Sequence, residues 1–138
     1  MKHSFGPASL KAMQQVHPSL VRLMTLVLVE IDISVVDGIR TLDQQRLFVA
    51  KGLSKTMNSK HLPQPDGLSH ALDVVPWAGF DWNAPRATND LLLFGGFVLG
   101  VASQASIGVR YGGDWNGNWK NSDNGFQDLD HFELLDGN

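Results

Sequence analysis

Apolar positions recur along the chain with two periods, and their alternation predicts eight elements. Leu10, Met13 and Val16 share one side of a short helix over Pro7 to Val16. His17-Pro18 then breaks the pattern, and a proline at a first helical position suits a new start. Leu20 to Val29 is apolar almost all round, relieved only by Arg22 before Glu30, which predicts a helix buried on most faces. The β-branched run Ile33-Ser34-Val35-Val36 predicts a strand that turns at Asp37-Gly38. Thr41 with Gln44 three residues on resembles a capping box and opens a helix over Leu42 to Lys51, stopped by Gly52.

Leu53 to Leu68 has little periodicity and carries Pro63, Pro65 and Gly67, so it reads as a loop. A structureless loop of this length in a compact domain points to function. Ala71 to Val75 predicts a strand ended by Pro76, and Trp77 to Thr88 is irregular. Asn89 to Gln104 predicts the third substantial helix, with Gly95-Gly96 marking close packing against a sheet. Val109 to Tyr111 and His131 to Leu134 predict short strands, separated by a Gly- and Asn-rich loop over Gly112 to Gln127. This order predicts an α+β fold: one domain over residues 1–138, with helices packed on a small, mostly antiparallel sheet.

Composition narrows the class. The 138 residues suit a single core, with 43% hydrophobic and 18% charged residues. A formal net charge of −3 offers no broad basic surface, which argues against nucleic acid as a partner. With no cysteine there is no disulfide, no thiolate metal site and no cysteine nucleophile. The first residues lack the apolar segment of a signal peptide. Leu91 to Ala102 is too short for a bilayer, which takes about 20 residues, so no membrane insertion is expected.

The candidate chemistry lies where polar residues interrupt these patterns. Asp73 breaks an apolar strand, and a buried carboxylate is costly unless it is paired or binds metal. His131 starts the last strand beside Phe132, and His61 stands in the long loop. A catalytic zinc takes about three N or O ligands and keeps a position open. His61, Asp73 and His131 meet that need, with a nearby acid as general base. Spacing does not decide between Asp128 and Asp130 for that base. Asp130 alternates away from His131 in an extended segment, and Asp128 needs a bend to return. Glu133 shares the face of His131 and can orient its ring, or be a plain surface carboxylate.

Four blocks then carry a family resemblance: Gly38-Ile39-Arg40-Thr41, Ser59-Lys60-His61 with Ala71-Leu72-Asp73, Arg110 to Trp115, and Asp128 with His131-Phe132-Glu133. The chain resembles phage endolysins of the zinc D-alanyl-D-alanine carboxypeptidase family, and is most similar to the phage L-alanyl-D-glutamate peptidases. The resemblance implies zinc on His61, Asp73 and His131, and it selects Asp128 as the catalytic acid/base. It implies that Arg40 steadies the substrate carbonyl and the oxyanion, with Gln44 lining the cleft and Trp115 forming part of the substrate groove. It implies hydrolysis of the L-alanyl-D-glutamate bond of cell-wall stem peptides. The alternatives are a D-alanyl-D-alanine carboxypeptidase or dipeptidase, or a zinc-bearing wall-binding module without turnover.

A monomer is expected. It would be held in the host cytoplasm until a holin-type partner opens the membrane, and would then act on peptidoglycan in the periplasm. One departure is that eleven residues separate His61 from Asp73, more than the family's usual spacing, with the extra ones around Pro63 to Gly67. That leaves His70 and Asp66 as rival ligands, and His70 as a residue that could still reach substrate. Finally, Asp114, Asn116, Asn118 and Asp123 are spaced like the start of a calcium loop. The glycine and closing glutamate of such a loop are absent, and a plain Asn/Gly turn cluster is the stronger reading.

Overall fold

The computed structural model describes residues 2–136. Four helices and four strands alternate in the order α1 (Pro7–Ala12), α2 (Pro18–Leu28), β1 (Ile33–Asp37), α3 (Leu42–Ala50), β2 (Ala71–Pro76), α4 (Ala87–Gln104), β3 (Val109–Tyr111) and β4 (His131–Leu134). The strands form one sheet in the order β1-β2-β4-β3, with every neighbouring pair antiparallel. The α+β expectation holds.

The register of β2 on β4 decides what each face carries. Leu72 pairs with Phe132, and Asp73 pairs with His131. Alternation then puts Leu72, Val74, Phe132 and Leu134 on one face and Asp73, His131 and Glu133 on the other. The apolar face joins Leu20, Leu23, Met24 and Val27 of α2 and Phe94 and Val98 of α4 in the core. Both helices are therefore fixed by burial of an apolar stripe against the sheet. At Gly95 an added Cβ would run into the Tyr111 ring, so this glycine lets α4 lie against β3, while Gly96 faces open space.

Two local features differ from expectation. Helix α1 stops at Ala12 and does not reach Val16. Gln15 takes a left-handed φ of 59°, and Val16 is drawn into a parallel bridge with Ser69. A long-range backbone pairing thus overrides the helical pattern. Helix α4 begins at Ala87, two residues before the predicted start at Asn89. The capping box is present as expected: Thr41 Oγ1 accepts from Gln44 N, and Gln44 Oε1 accepts from Thr41 N.

Candidate active site

The polar face of the sheet is covered by the 53–68 loop and by the segment before β4, and the site lies beneath them. Asp73 is fixed opposite His131 by the strand register. His61 arrives from the loop, which is anchored there by two bonds to the Gly38–Arg40 segment and braced by one within the loop. Arg40 N donates to His61 O at 2.9 Å, His61 Nδ1 lies 2.7 Å from Gly38 O, and His61 N donates to Ser59 Oγ at 3.1 Å.

His61 Nε2, His131 Nδ1 and Asp73 Oδ1 form a triangle with all three sides 3.2 Å. All three residues are buried, His61 to 1% exposure. The outer nitrogens define the tautomers. His61 donates from Nδ1 to a carbonyl, and His131 donates from Nε2 to Glu133 Oε1 at 2.9 Å. Two neutral rings so oriented turn their lone pairs toward each other and toward a carboxylate oxygen. Such a group needs a cation at its centre. Ligand bonds of about 2.0–2.1 Å in a tetrahedral zinc site space the ligand atoms by about 3.3 Å, so the donor set and its spacing fit zinc. The hydrogen bonds behind both rings are those that orient metal-bound histidines.

The same electrostatics govern the metal-free protein. Burial works against a charged His131 ring, but the hydrogen bonds to Asp73 and Glu133 and the charge of Asp128 outweigh it, and its pKa is pushed up to about 10. Burial alone would raise the Asp73 carboxyl, yet the His61 and His131 rings hold it well below the usual carboxylate range. A proton on His131 can therefore take the place of a cation in the metal-free protein.

Asp128 reaches the site through a bend. His131 N donates to Asp128 O at 3.1 Å, which folds the chain back just before β4. The Asp128 carboxylate then lies 3.7 Å from His131 Nδ1. Gly112 makes room for this bend, since a Cβ there would strike the Asp128 carbonyl oxygen. Burial, and then the charge of Asp73, push the Asp128 carboxyl above its ordinary value. Asp130 hydrogen-bonds Asp128 where the chain is turned at 129–130, before it extends from His131. Burial and the charges of Asp73 and Asp128 push Asp130 up to about 9, so without metal it holds the proton of its hydrogen bond with Asp128.

Arg40 is buried, and each of its three nitrogens is held. Its Nε donates to Asp37 at 2.6 Å, Nη1 to Gln45 at 3.0 Å and Nη2 to Asp73 Oδ2 at 3.2 Å, with the Phe48 ring 4.0 Å from the guanidinium carbon. Gln44 does not line this cleft: it is exposed and folded back on Thr41, while the neighbouring Gln45 is buried beneath the site against Arg40. Trp115 lies beside His131. Its ring centre lies 5.5 Å from that of His131, and its Nε1 donates to Phe126 O. A cleft of about 430 Å³ runs past Arg40, His61, Asp128, His131 and Trp115. Lys55, Lys60 and Arg110 border it.

His70 is placed apart from this group. Its Nε2 lies 2.7 Å from Asp66 Oδ2, and its ring meets that of His17 edge-on. The two rival ligands thus pair with each other instead of joining His61. In the Gly/Asn loop, Asp114 accepts from Asn118 N and Trp119 N, and Asn118 donates to Asp123 at 2.6 Å. These are the bonds of a turn cluster.

Residues 1–135 match the family model described as phage L-alanyl-D-glutamate peptidase. The L-alanyl-D-glutamate peptidase of Escherichia phage T5 is 30% identical over an alignment covering 98% of this chain and all of that protein. The enzyme of the same name from Listeria phage A118 is 36% identical over 63% of this chain, and the match spans 27% of that longer protein. Among solved structures, the Serratia marcescens L-Ala D-Glu endopeptidase ChiX superposes with a TM-score of 0.66 at 29% identity, over 95% of this chain and 89% of that one. The chain belongs to the phage L-alanyl-D-glutamate peptidase family.

Proposed function

We propose that the protein is a zinc peptidase of the D-alanyl-D-alanine carboxypeptidase type that hydrolyses the L-alanyl-D-glutamate bond of peptidoglycan stem peptides. The bond follows the activity named for its relatives. The observation that carries the metal chemistry is the buried 3.2 Å triangle of His61, Asp73 and His131. These three residues would hold the ion. When bound, zinc supplies Lewis acidity, lowering the pKa of a water and sharing the charge that develops on the carbonyl oxygen.

The chain's own residues do the rest. Asp128 takes the proton of the attacking water and returns it to the leaving amine, a task helped by a pKa raised toward the working range. Glu133 and the Gly38 carbonyl fix the two rings. Arg40 fixes the second oxygen of Asp73 and places its positive charge beside the cleft, where the oxyanion forms. Trp115 walls the cleft, and the bordering Lys55, Lys60 and Arg110 suit the carboxylates of a glutamate-bearing peptide. The enzyme would act as a monomer on the cell wall after a holin-type partner opens the membrane. Among the described residues no helix is long and apolar enough to cross one.

Titrating metal-free protein with zinc tests the reading. High-affinity binding that is lost in both His61→Ala and His131→Ala supports it. Undiminished binding in those variants would remove its basis.

A further inference from the structure

His17, Asp66 and His70 form a second group of metal-type donors, with all ligand atoms within 4.8 Å of one another. It lies on different segments from the His61 triangle, and the proposed reaction does not use it. Three independent devices hold it in place.

His17 precedes Pro18, which confines it to extended backbone, observed at φ −54° and ψ 136°. Its Nδ1 accepts from Ser19 N at 3.0 Å as the cap of α2, so the neutral, half-buried ring carries its proton on Nε2; a metal on Nε2 takes the other tautomer and gives up that cap bond. His70 is brought alongside by the backbone. His17 N donates to Ser69 O at 2.9 Å, Ser69 N donates to Gln15 O at 2.8 Å, and His70 N donates to Lys60 O at 2.9 Å. The two rings stand edge to face with centres 5.0 Å apart. Asp66 is presented by a closed loop, in which Gln64 N donates to Leu68 O and Leu68 N donates to Asp66 Oδ1. Gly67, with φ 80°, makes the turn that loop requires. The other oxygen, Asp66 Oδ2, faces His70 Nε2.

We infer that His17, His70 and Asp66 form a second binding site for a divalent transition-metal ion of the zinc, cobalt or nickel class. Two imidazoles with one carboxylate are the donors such ions take, and calcium or magnesium would ask for oxygen instead. The half-buried rings and the exposed Asp66 leave an approach for the ion and room for water to complete its shell. The carboxylate comes from the extra residues between His61 and Asp73, so this segment supplies a ligand as well as length. Bound metal would clamp the 63–68 loop to the corner between α1 and α2. That loop is continuous with Lys60 and His61.

The test is metal stoichiometry with a local reporter. His17→Asn keeps an acceptor for Ser19 N while removing the ring, and Asp66→Asn keeps the acceptor for Leu68 N while removing the charge. Metal-free wild type titrated with Zn²⁺ should take up two equivalents, and each variant one. In wild type the ring resonances of His17 and His70 should move with the weaker equivalent. The His131→Ala variant should still show those shifts, which separates this site from the one behind the proposed reaction. If the His17 and His70 signals stay still through millimolar zinc, or both variants keep the wild-type stoichiometry, the group is an ion pair that merely ties the loop and the inference fails.

Discussion

Asp73 and His131 stand directly opposite each other across β2 and β4, with Asp73 Oδ1 3.2 Å from His131 Nδ1. The register that buries Leu72 on Phe132 therefore also assembles two of the three proposed zinc ligands. Shifting one strand by one residue would send its ligand to the apolar face and separate the pair.

Asp128 is the residue whose loss should separate chemistry from metal binding. Asp128→Ala should lower peptidase turnover by about 100- to 10,000-fold, the usual contribution of a general acid–base group. Zinc content should be unchanged, because the triangle is complete without Asp128. Turnover against purified peptidoglycan together with metal analysis checks both halves.

Glu133 should act on the metal through His131. It accepts from His131 Nε2 at 2.9 Å and also lies 3.8 Å from Lys60 Nζ. Glu133→Ala should weaken zinc binding by about 10- to 100-fold, the usual cost of losing such a partner. Competition with a chelator of known affinity would measure it, and unchanged affinity would show that the ring is held by other means.

Without metal, stability should depend on pH through the His131–Asp73 pair. The folded pKa of His131 is pushed up to about 10, above its unfolded value of about 6.5. Its contribution is thus full below about pH 6.5 and is lost as pH rises toward 10. Asp73 is shifted the other way, so its share is present above its unfolded pKa of about 3.9 and is lost as pH falls below that. The metal-free protein should therefore melt highest between about pH 4 and 6.5 as far as this pair is concerned. Zinc competes with the proton, so the rise in Tm on adding zinc should be larger at pH 8.5 than at about pH 6. A zinc effect that shrinks with rising pH over this range would contradict the coupling.

Gly95→Ala tests the packing of α4 on β3. The new methyl would meet the Tyr111 ring, whose hydroxyl is already committed to Leu91 O and Leu129 O. Overpacking of this kind costs about 1–3 kcal/mol. The same change at Gly96, which faces open space, should be close to neutral or stabilising. Denaturant midpoints of the two variants make the comparison.

Much of this was legible in the residues. Periodicity located the elements that bury an apolar stripe or face, above all α2, α4, β2 and β4, while α3 was legible from its capping box. The triangle was legible because Asp73 and His131 interrupt strands that otherwise bury apolar side chains. Three features escaped. Gln45, not Gln44, meets Arg40, and the capping box that consumes the Gln44 side chain was itself readable. The hydrogen bond between Asp130 and Asp128 forms where the chain is still turning, so no strand pattern announces it. His17 looked like punctuation before Pro18. Its proximity to His70 depends on the Val16–Ser69 bridge, a pairing between distant segments that no local pattern announces.

The central claim is a metal-dependent cut at one bond, and the direct measurement is end-group analysis. Purified Gram-negative peptidoglycan would be digested with the protein, with and without a chelator, and the new termini identified by mass spectrometry. The account predicts new D-glutamate amino termini that vanish with the chelator and return with zinc. Released D-alanine would move the cut to another bond, and D-glutamate termini that persist in the metal-stripped protein would contradict the zinc chemistry.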